Sequence, residues 1–489
     1  MIRRPLALAL AIALFPVAGA QAEDLLQTYE LARASDPQLA QAESSRLITR
    51  EGAVQARAAL LPQIDATGTF RRSESTGPGR EQITTVDPVT GEPVFEFITG
   101  DSETTSNSRN YGVNVDQVLF DLGAFSRLRS ERTLSRAADF TLESAGDSLI
   151  TRTSKAYFDV LVAMETLEAA EAQEAALKKQ FDFASKRLEV GLAPITDVHE
   201  ARAQYDSARA NTIVVRNALE DAYQALVEIT GTPVGDLKAL PDDFEPQLPA
   251  EGDAEAWVAT ALDNNPALQA KELQVQASDY DVDTARAGHL PTLYFGGSYG
   301  KNASWGESTF SSTNPPFSST FPTGTQSRGP SFGVTLSVPI FSGGLTQSRV
   351  RQAIAQRDFE QEQLEQQRRG LVRSTRNAYQ TLVAGISEVE ARRAALVSAQ
   401  SAYEASQVGL EVGTRTVIDV LINQQNLFDA QREYSLAKYN FLQNRLLLEQ
   451  SAGSLEIDDV QDINRLLTVD AEAQLSTGPM RAGEPPQNQ

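Results

Sequence analysis

Apolar residues recur at every seventh position along much of this chain. Leu142, Leu149, Ala156, Ala163, Ala170, Leu177 and Ala184 form one such row, and Leu382, Val389, Leu396, Tyr403 and Leu410 form another. Two further rows follow these: Val198, Tyr205, Thr212, Leu219 and Leu226, then Val420, Leu427, Tyr434, Phe441 and Leu448. A sustained seven-residue period predicts long helices packed side by side in coiled-coil fashion, and the many alanines permit close approach. A second pattern has a period of two. Ile64, Ala66, Gly68 and Phe70 alternate with polar neighbours, as do Tyr111, Val113 and Val115. The same holds for Leu293, Phe295, Gly297 and Tyr299, and for Phe332, Val334, Leu336, Val338 and Ile340. These predict four strands, each apolar on one face and polar on the other. The intervening stretches Glu74–Arg109 and Lys301–Pro330 are rich in Ser, Thr, Gly and Pro and read as long surface loops.

Both patterns occur twice, in the same order. Asp36-Pro37 is echoed by Asn265-Pro266, Pro62 by Pro291, Phe120 by Phe341, and Ala156-Tyr157 by Ala378-Tyr379. Gly191 is echoed by Gly413, Asp197 by Asp419, and Gly231 by Gly453. Such order implies an internal duplication. Each copy predicts a helical stretch, Asp24–Leu60 or Ala254–His289, ended by a Leu-Pro pair because proline disfavours helix in the residue before it. Two strands follow, then a helix of about 65 residues, which at ~1.5 Å per residue would reach ~100 Å. A glycine turn and a returning helix complete the copy. The expected boundaries are a signal peptide over 1–22, a first repeat over 23–231, a linker over 232–253, a second repeat over 254–453 and a C-terminal segment over 454–489. The last part of that segment, Thr477–Gln489, reads as a disordered tail.

Composition narrows the function. The 489 residues carry a formal charge of −22, which speaks against a nucleic-acid partner. With no cysteine there is no disulfide, thiolate metal site, thiol nucleophile or lipid-modified N-terminal cysteine. Arg3 and Arg4, the apolar run Leu6–Phe15 and the small-x-small end Ala20-Gln21-Ala22 have the form of a secretory signal peptide, too short for a membrane anchor. In an exported chain, the two-faced strands suit an outer-membrane barrel better than a soluble sheet. Four strands cannot close a barrel, and open sheet edges are not tolerated in lipid, so several copies must each lend four strands. No catalytic residue, cofactor or metal is expected. The two histidines, His199 and His289, lack ligand spacing, and no phosphate loop or nucleophile elbow occurs. A rival of another class is a non-channel periplasmic coiled-coil protein, structural or adaptor; the alternating strands argue against it.

The stretches EDLLQTYELARASDP, LLPQ, VDQVLFD, VGLAPITDVHEARAQYD, VGTRTVIDV and AKYNFLQNRLLL together resemble the TolC family of outer-membrane efflux and secretion ducts. The resemblance runs from Glu23 to Ile463. It implies a mostly α fold with a β-barrel part. Three chains would form a homotrimer with a twelve-stranded barrel in outer-membrane lipid, continued by a twelve-helix periplasmic tunnel. The linker and the C-terminal segment would band its waist. The partners implied are a periplasmic membrane-fusion adaptor and an inner-membrane pump of RND, ABC or MFS type.

The resemblance also assigns sites. Val190, Gly191 and Leu192, with Val412, Gly413 and Thr414, match the family's hairpin tips, which meet the adaptor; the plainer reading is a pair of glycine helix caps. Gln180, Thr196, Asp197 and Arg415 match a latch that holds the entrance shut. Asp419 matches a position whose three copies form an acidic constriction ring that favours cations; the plainer reading is an aspartate complementing a helix dipole. The chain departs from the family pattern at Ile422, where a second acid is expected, which implies one ring. It departs again at Leu410 and Gln407, in place of a tyrosine and a glutamate, which implies a weaker latch.

Overall fold

The computed structural model describes residues 24–235, 237–241, 243–248 and 253–471. The signal peptide expected over 1–22 and the tail expected over Thr477–Gln489 lie outside these residues. The element order repeats. Helices α1 (Leu25–Ser35) and α2 (Pro37–Ala58) precede strands β1 (Gln63–Val86) and β2 (Pro93–Phe120), then α3 (Leu122–Glu189) and α4 (Ile195–Thr230). After a two-residue strand β3 (Lys238–Ala239) the order recurs as α5 (Ala254–Asn264), α6 (Pro266–Ala287), β4 (Thr292–Thr313), β5 (Pro316–Ser337), α7 (Leu345–Glu411) and α8 (Val417–Ala452). Helix α9 (Ile457–Leu466) and strand β6 (Val469–Asp470) end the described chain. Among the described residues no helix is long and apolar enough to cross a membrane.

Two expectations are corrected. The stretches Asp24–Leu60 and Ala254–His289 are each two helices, broken at Asp36 and Asn265, which take extended backbone angles. The cause is the following proline, whose ring excludes the helical conformation one residue earlier. The second correction is larger. Glu74–Arg109 and Lys301–Pro330 are almost wholly strand, with connections of a few residues between the hairpin arms. The sheet order is β1-β2-β4-β5, so β1 and β5 are its edges. Pro78 lies in β1, and Pro316, Pro322 and Pro330 lie in β5. At an edge, the donor that proline lacks has no ladder partner to lose. The prolines that suggested loops are therefore compatible with strand.

The described chain divides into two compact units. The first holds Arg136–Leu273 and Glu362 onward, with the chain up to Ile48. Its helices meet through the seven-residue rows: Leu149, Ala156, Ala170, Leu177 and Ala184 are buried on α3, and Leu427, Tyr434, Phe441 and Leu448 on α8. Its core draws on Leu25 of α1, Trp257 of α5, Leu382 of α7 and Ile463 of α9. The linker is strapped down by two buried tyrosines. The Tyr157 hydroxyl accepts from Lys238 N at 2.8 Å, and the Tyr439 hydroxyl from Leu240 N at 3.4 Å. Beside it, the fully buried Lys438 ammonium lies 5.1 Å from the Tyr434 ring centroid and 3.8 Å from Glu165. The break before Pro37 is also fixed from outside, because the buried Asp36 carboxylate accepts from Arg152 at 2.8 Å.

The second unit, Thr49–Ser135 with Gln274–Gln361, contains the sheet. In its half remote from the hairpin loops, large apolar side chains stand in solvent: Ile64 is 70% exposed, Phe332 80% and Leu336 63%. Toward the loops the sheet curls. Ile98 and Phe310 are buried there, and the Ser319 hydroxyl on β5 donates to the Glu81 carboxylate on β1, at 2.9 Å, so opposite edges approach one another.

Glu449 on α8 generates a pH prediction. One carboxylate oxygen accepts from Arg445 at 3.1 Å, and the other is buried without a partner. Burial, followed by the Asp459 carboxylate, pushes its pKa from 4.5 up to about 7, against the pull of Arg445. The folded state thus holds a proton that the unfolded state has lost between these values, so stability falls as pH rises through that window and levels off above it. Asp147, pushed up to about 6 by burial and Glu143, acts in the same direction. Glu449→Gln should therefore reduce, without abolishing, the loss of thermal stability between pH 4.5 and 7, as measured by circular dichroism melts.

Candidate functional site

Both helical hairpin turns belong to the first unit, and each turns on a glycine with a left-handed backbone. Gly191 has φ 74° and Gly413 has φ 75°. At the first turn Leu192 N donates to Arg187 O at 2.7 Å; at the second, Thr414 N donates to Gly409 O at 2.8 Å. These bonds close the helices in the manner of a glycine C-cap, as expected on the plainer reading. What a cap does not require is apolar exposure. Val190, Leu192 and Val412 are each 68% exposed. A Cβ placed on either glycine would meet nothing within 4 Å, so both turns project into open space.

The returning helices begin differently. Helix α8 starts with a full capping box: Asp419 N donates to the Thr416 hydroxyl at 3.3 Å, and Thr416 N donates to the Asp419 carboxylate at 2.9 Å. The Thr416 backbone and hydroxyl bonds hold the Asp419 pKa below its ordinary value, with a smaller pull from Arg415 and a small opposing effect of burial. Helix α4 starts at Pro194, which has no side-chain cap. Asp197 there is exposed, and its carboxylate accepts from the adjacent Thr196 hydroxyl at 3.4 Å. The pattern Thr416-Val-Ile-Asp419 could have revealed the box in the sequence; Pro194 breaks it in the first copy.

Gln180 and Asp197 of the first hairpin line a cleft of about 200 Å³ together with Thr416, Ile418 and Leu421 of the second. The structure thus gathers Gln180, Asp197 and the α8 start into one crevice. Arg415 is exposed beside it, and among the described residues no ion pair joins it to Asp197 or Thr196. Gly409 was not anticipated: a Cβ there would come within 2.7 Å of Arg415 Cγ, so its glycine makes room for that side chain. Ile422 and Leu421 line a neighbouring groove between α3, α4 and α8. The site is a meeting of hairpin ends, with exposed apolar turns and one capped aspartate. No group of acids and histidines that could hold a metal ion occurs among the described residues.

Comparison with known proteins identifies the setting. The model of the family described as "Outer membrane efflux protein" matches residues 28–232 and 257–454. The chain belongs to this family. It is 32% identical over 448 residues to outer membrane protein TolC of Vibrio cholerae, covering 92% of this chain and 94% of that protein. It is 31% identical to TolC of Escherichia coli, over 92% and 86% of the two chains, and 28% identical to the alkaline protease secretion protein AprF of Pseudomonas aeruginosa, over 89% and 86%. The fold is shared with the CmeC outer membrane channel of Campylobacter jejuni, with TM-score 0.68, 18% identity and coverage of 91% and 90%. This places the chain in the outer membrane and in the TolC branch of its family.

The unequal caps give a second prediction. Thr416→Ala removes the hydroxyl from the capping box and should cost about 1 kcal/mol locally. Hydrogen exchange at residues 417–420 should accelerate several-fold. Exchange in the first turn of α4, which has no such cap, should not change.

Proposed function

We propose that this chain is the outer-membrane exit duct of tripartite efflux or type I secretion assemblies, acting as a homotrimer without catalysis of its own. The observation that carries the reading is the open four-stranded sheet, whose edges lack partners and whose apolar face is exposed. In a membrane every backbone donor and acceptor must be satisfied, and three such sheets supply the twelve strands of a closed barrel. The paired hairpins of three chains supply twelve helices for a tunnel. Relatives named for protease secretion, AprF and PrtF, and for cobalt-zinc-cadmium resistance, CzcC, support an exit role for more than one cargo class. Mass measurement in detergent should give a trimer; a stable monomer would refute the assembly.

At the turns, Val190, Gly191, Leu192, Val412, Gly413 and Thr414 form the surface for a periplasmic adaptor, which links the duct to an inner-membrane pump. At Gly191 or Gly413 an added Cβ meets no atom within 4 Å, but a valine is forced to positive φ, a strain of about 1–2 kcal/mol. The double Gly191→Val/Gly413→Val variant should therefore still assemble in the outer membrane while export stops. Normal export would count against the adaptor surface.

Asp419 forms the acidic ring, and Gln180, Thr196, Asp197 and Arg415 form the latch between hairpins. That no ion pair of Arg415 occurs among the described residues is consistent with a weak, openable latch, since an exposed pair contributes only ~0.2–1 kcal/mol. In planar bilayers Asp419→Ala should lower cation selectivity and relieve block by multivalent cations, and Arg415→Ser should raise conductance modestly. Unchanged selectivity in Asp419→Ala would assign it to diffuse negative charge.

A further inference from the structure

On all four strands the exposed apolar run ends on a cation. The registers Ile64–Val115, Val115–Gly297 and Gly297–Phe332 put these residues on one face of the sheet. On that face β1 reads Ile64, Ala66, Gly68, Phe70 and then Arg72. Followed toward the hairpin loops, β2 reads Val115, Val113, Tyr111 and then Arg109. Strand β4 reads Leu293, Phe295, Gly297, Tyr299 and then Lys301, and β5 reads Leu336, Val334, Phe332, Pro330 and then Arg328.

The four cations also share a level in a tilted sheet. Arg72 faces Asn107, two residues from Arg109; Arg109 faces Ala303, two residues from Lys301; Lys301 faces Arg328 directly. The upper limit of the apolar residues steps in the same way, through Phe70, Tyr111, Tyr299 and Pro330. Barrel strands lie tilted by ~35–45°, so a stagger of this kind brings a stepped row toward one height. The row therefore follows the upper end of the continuous apolar runs, with Trp305 of β4 standing on its loop side.

Its electrostatics are unusual for a chain of charge −22. Arg72 has Glu74 at 2.6 Å. Among the described residues no carboxylate pairs with Arg109, Lys301 or Arg328. The nearest acids on the same face, Glu74 and Glu307, lie beyond the row on the loop side. Lys301 and Arg328 are like charges directly opposite one another, an arrangement that destabilises a sheet unless an anion lies between them. The Arg109 guanidinium rests 5.7 Å from the ring centroids of both Tyr111 and Trp305, and Phe70 lies 6.2 Å from Trp305. Aromatic rings of this kind settle at membrane–water interfaces.

We propose that Arg109, Lys301 and Arg328, with Arg72, bind the phosphate groups of lipid headgroups bordering the barrel on its hairpin-loop side. The aromatic rings flank the cations and set their depth at the acyl boundary, and the cations meet headgroup phosphate through charge-assisted hydrogen bonds, bidentate from the arginines. The lipid this surface fits is a phosphorylated glycolipid carrying more than one phosphate, because the cations are spread across four strands. The proposal rests on the sheet being membrane wall, but it fails separately from that reading.

The test uses the full chain in detergent, titrated with bisphosphorylated lipid A and followed by native mass spectrometry. Lipid A should bind more tightly than its monophosphorylated form, and phosphatidylcholine much more weakly. Arg109→Gln/Lys301→Gln/Arg328→Gln should weaken lipid A binding by at least about ten-fold, the equivalent of ~1.4 kcal/mol, and leave phosphatidylcholine adducts unchanged. Lys301→Arg should retain binding. If the triple variant loses its heat-modifiable migration, Lys301→Gln alone, which relieves the like-charge pair, should fold and still bind lipid A more weakly. Unchanged lipid A binding in either folded variant would overturn the proposal, as would equal loss of phosphatidylcholine. Displacement of lipid A by millimolar inorganic phosphate would reassign the row to free anions. Loss of the oligomer with lipid binding intact would reassign it to contacts between copies. A monomer that needs no detergent would refute the barrel itself.

Discussion

A backbone amide that leaves water must find another partner, and this sheet leaves two rows of such groups unmatched. Strands β1 and β5 are 24 and 22 residues long and have a neighbour on one side only. Curling brings the edges together near the loops, through Ser319 and Glu81, but leaves the apolar half open. Outward-facing Phe332 and Leu336 and the unpaired edges pose one problem, which the proposed homotrimer would solve with further sheets of the same kind, surrounded by hydrocarbon. The rest of the chain is organised around that need. The duplication supplies one strand hairpin and one helical hairpin per copy, and the seven-residue rows pair the long helices.

The helices of the first unit are held by a different balance. Alanine rows allow close packing but bury little apolar area per residue. The dense core is concentrated where Leu25, Trp257, Leu382, Phe441 and Ile463 converge. There the chain also accepts costly groups: a buried lysine between tyrosine rings, the Asp36–Arg152 pair and the half-satisfied Glu449. Buried charges of this kind contribute specificity more readily than stability. The Asp36–Arg152 pair joins the break between α1 and α2 to α3, and Lys438 joins α8 to Glu165 of α3.

Much of this was legible in the sequence. The duplication, the long helices, both glycine turns and the apolar strand faces follow from periodicity and from Gly191 and Gly413. The strand lengths did not, because Ser, Thr, Gly and Pro carry two meanings. In isolation they mark turns; on an edge with a paired neighbour they are tolerated in strand. The breaks at Asp36 and Asn265 were signalled by the prolines that follow. The candidate site was half legible. The turns and Asp419 could be read, and the capping box that occupies Asp419 is signalled by Thr416 three residues earlier, but the room made by Gly409 depends on a contact that spacing alone does not reveal.

The edge prolines have a mechanical meaning. Because β5 keeps its ladder with β4, the missing donors of Pro316, Pro322 and Pro330 fall on its outer side, where a sister chain would bind. Strand β1 has one such gap, at Pro78, and is unbroken from Gln63 to Gly77. A seam zipped along these edges is continuous at its base and skips stitches toward the loops. If three such sheets close the proposed barrel, its wall would be stiff within the membrane and compliant at its mouth, and a wide cargo could part neighbouring sheets at the exit without unravelling the barrel below.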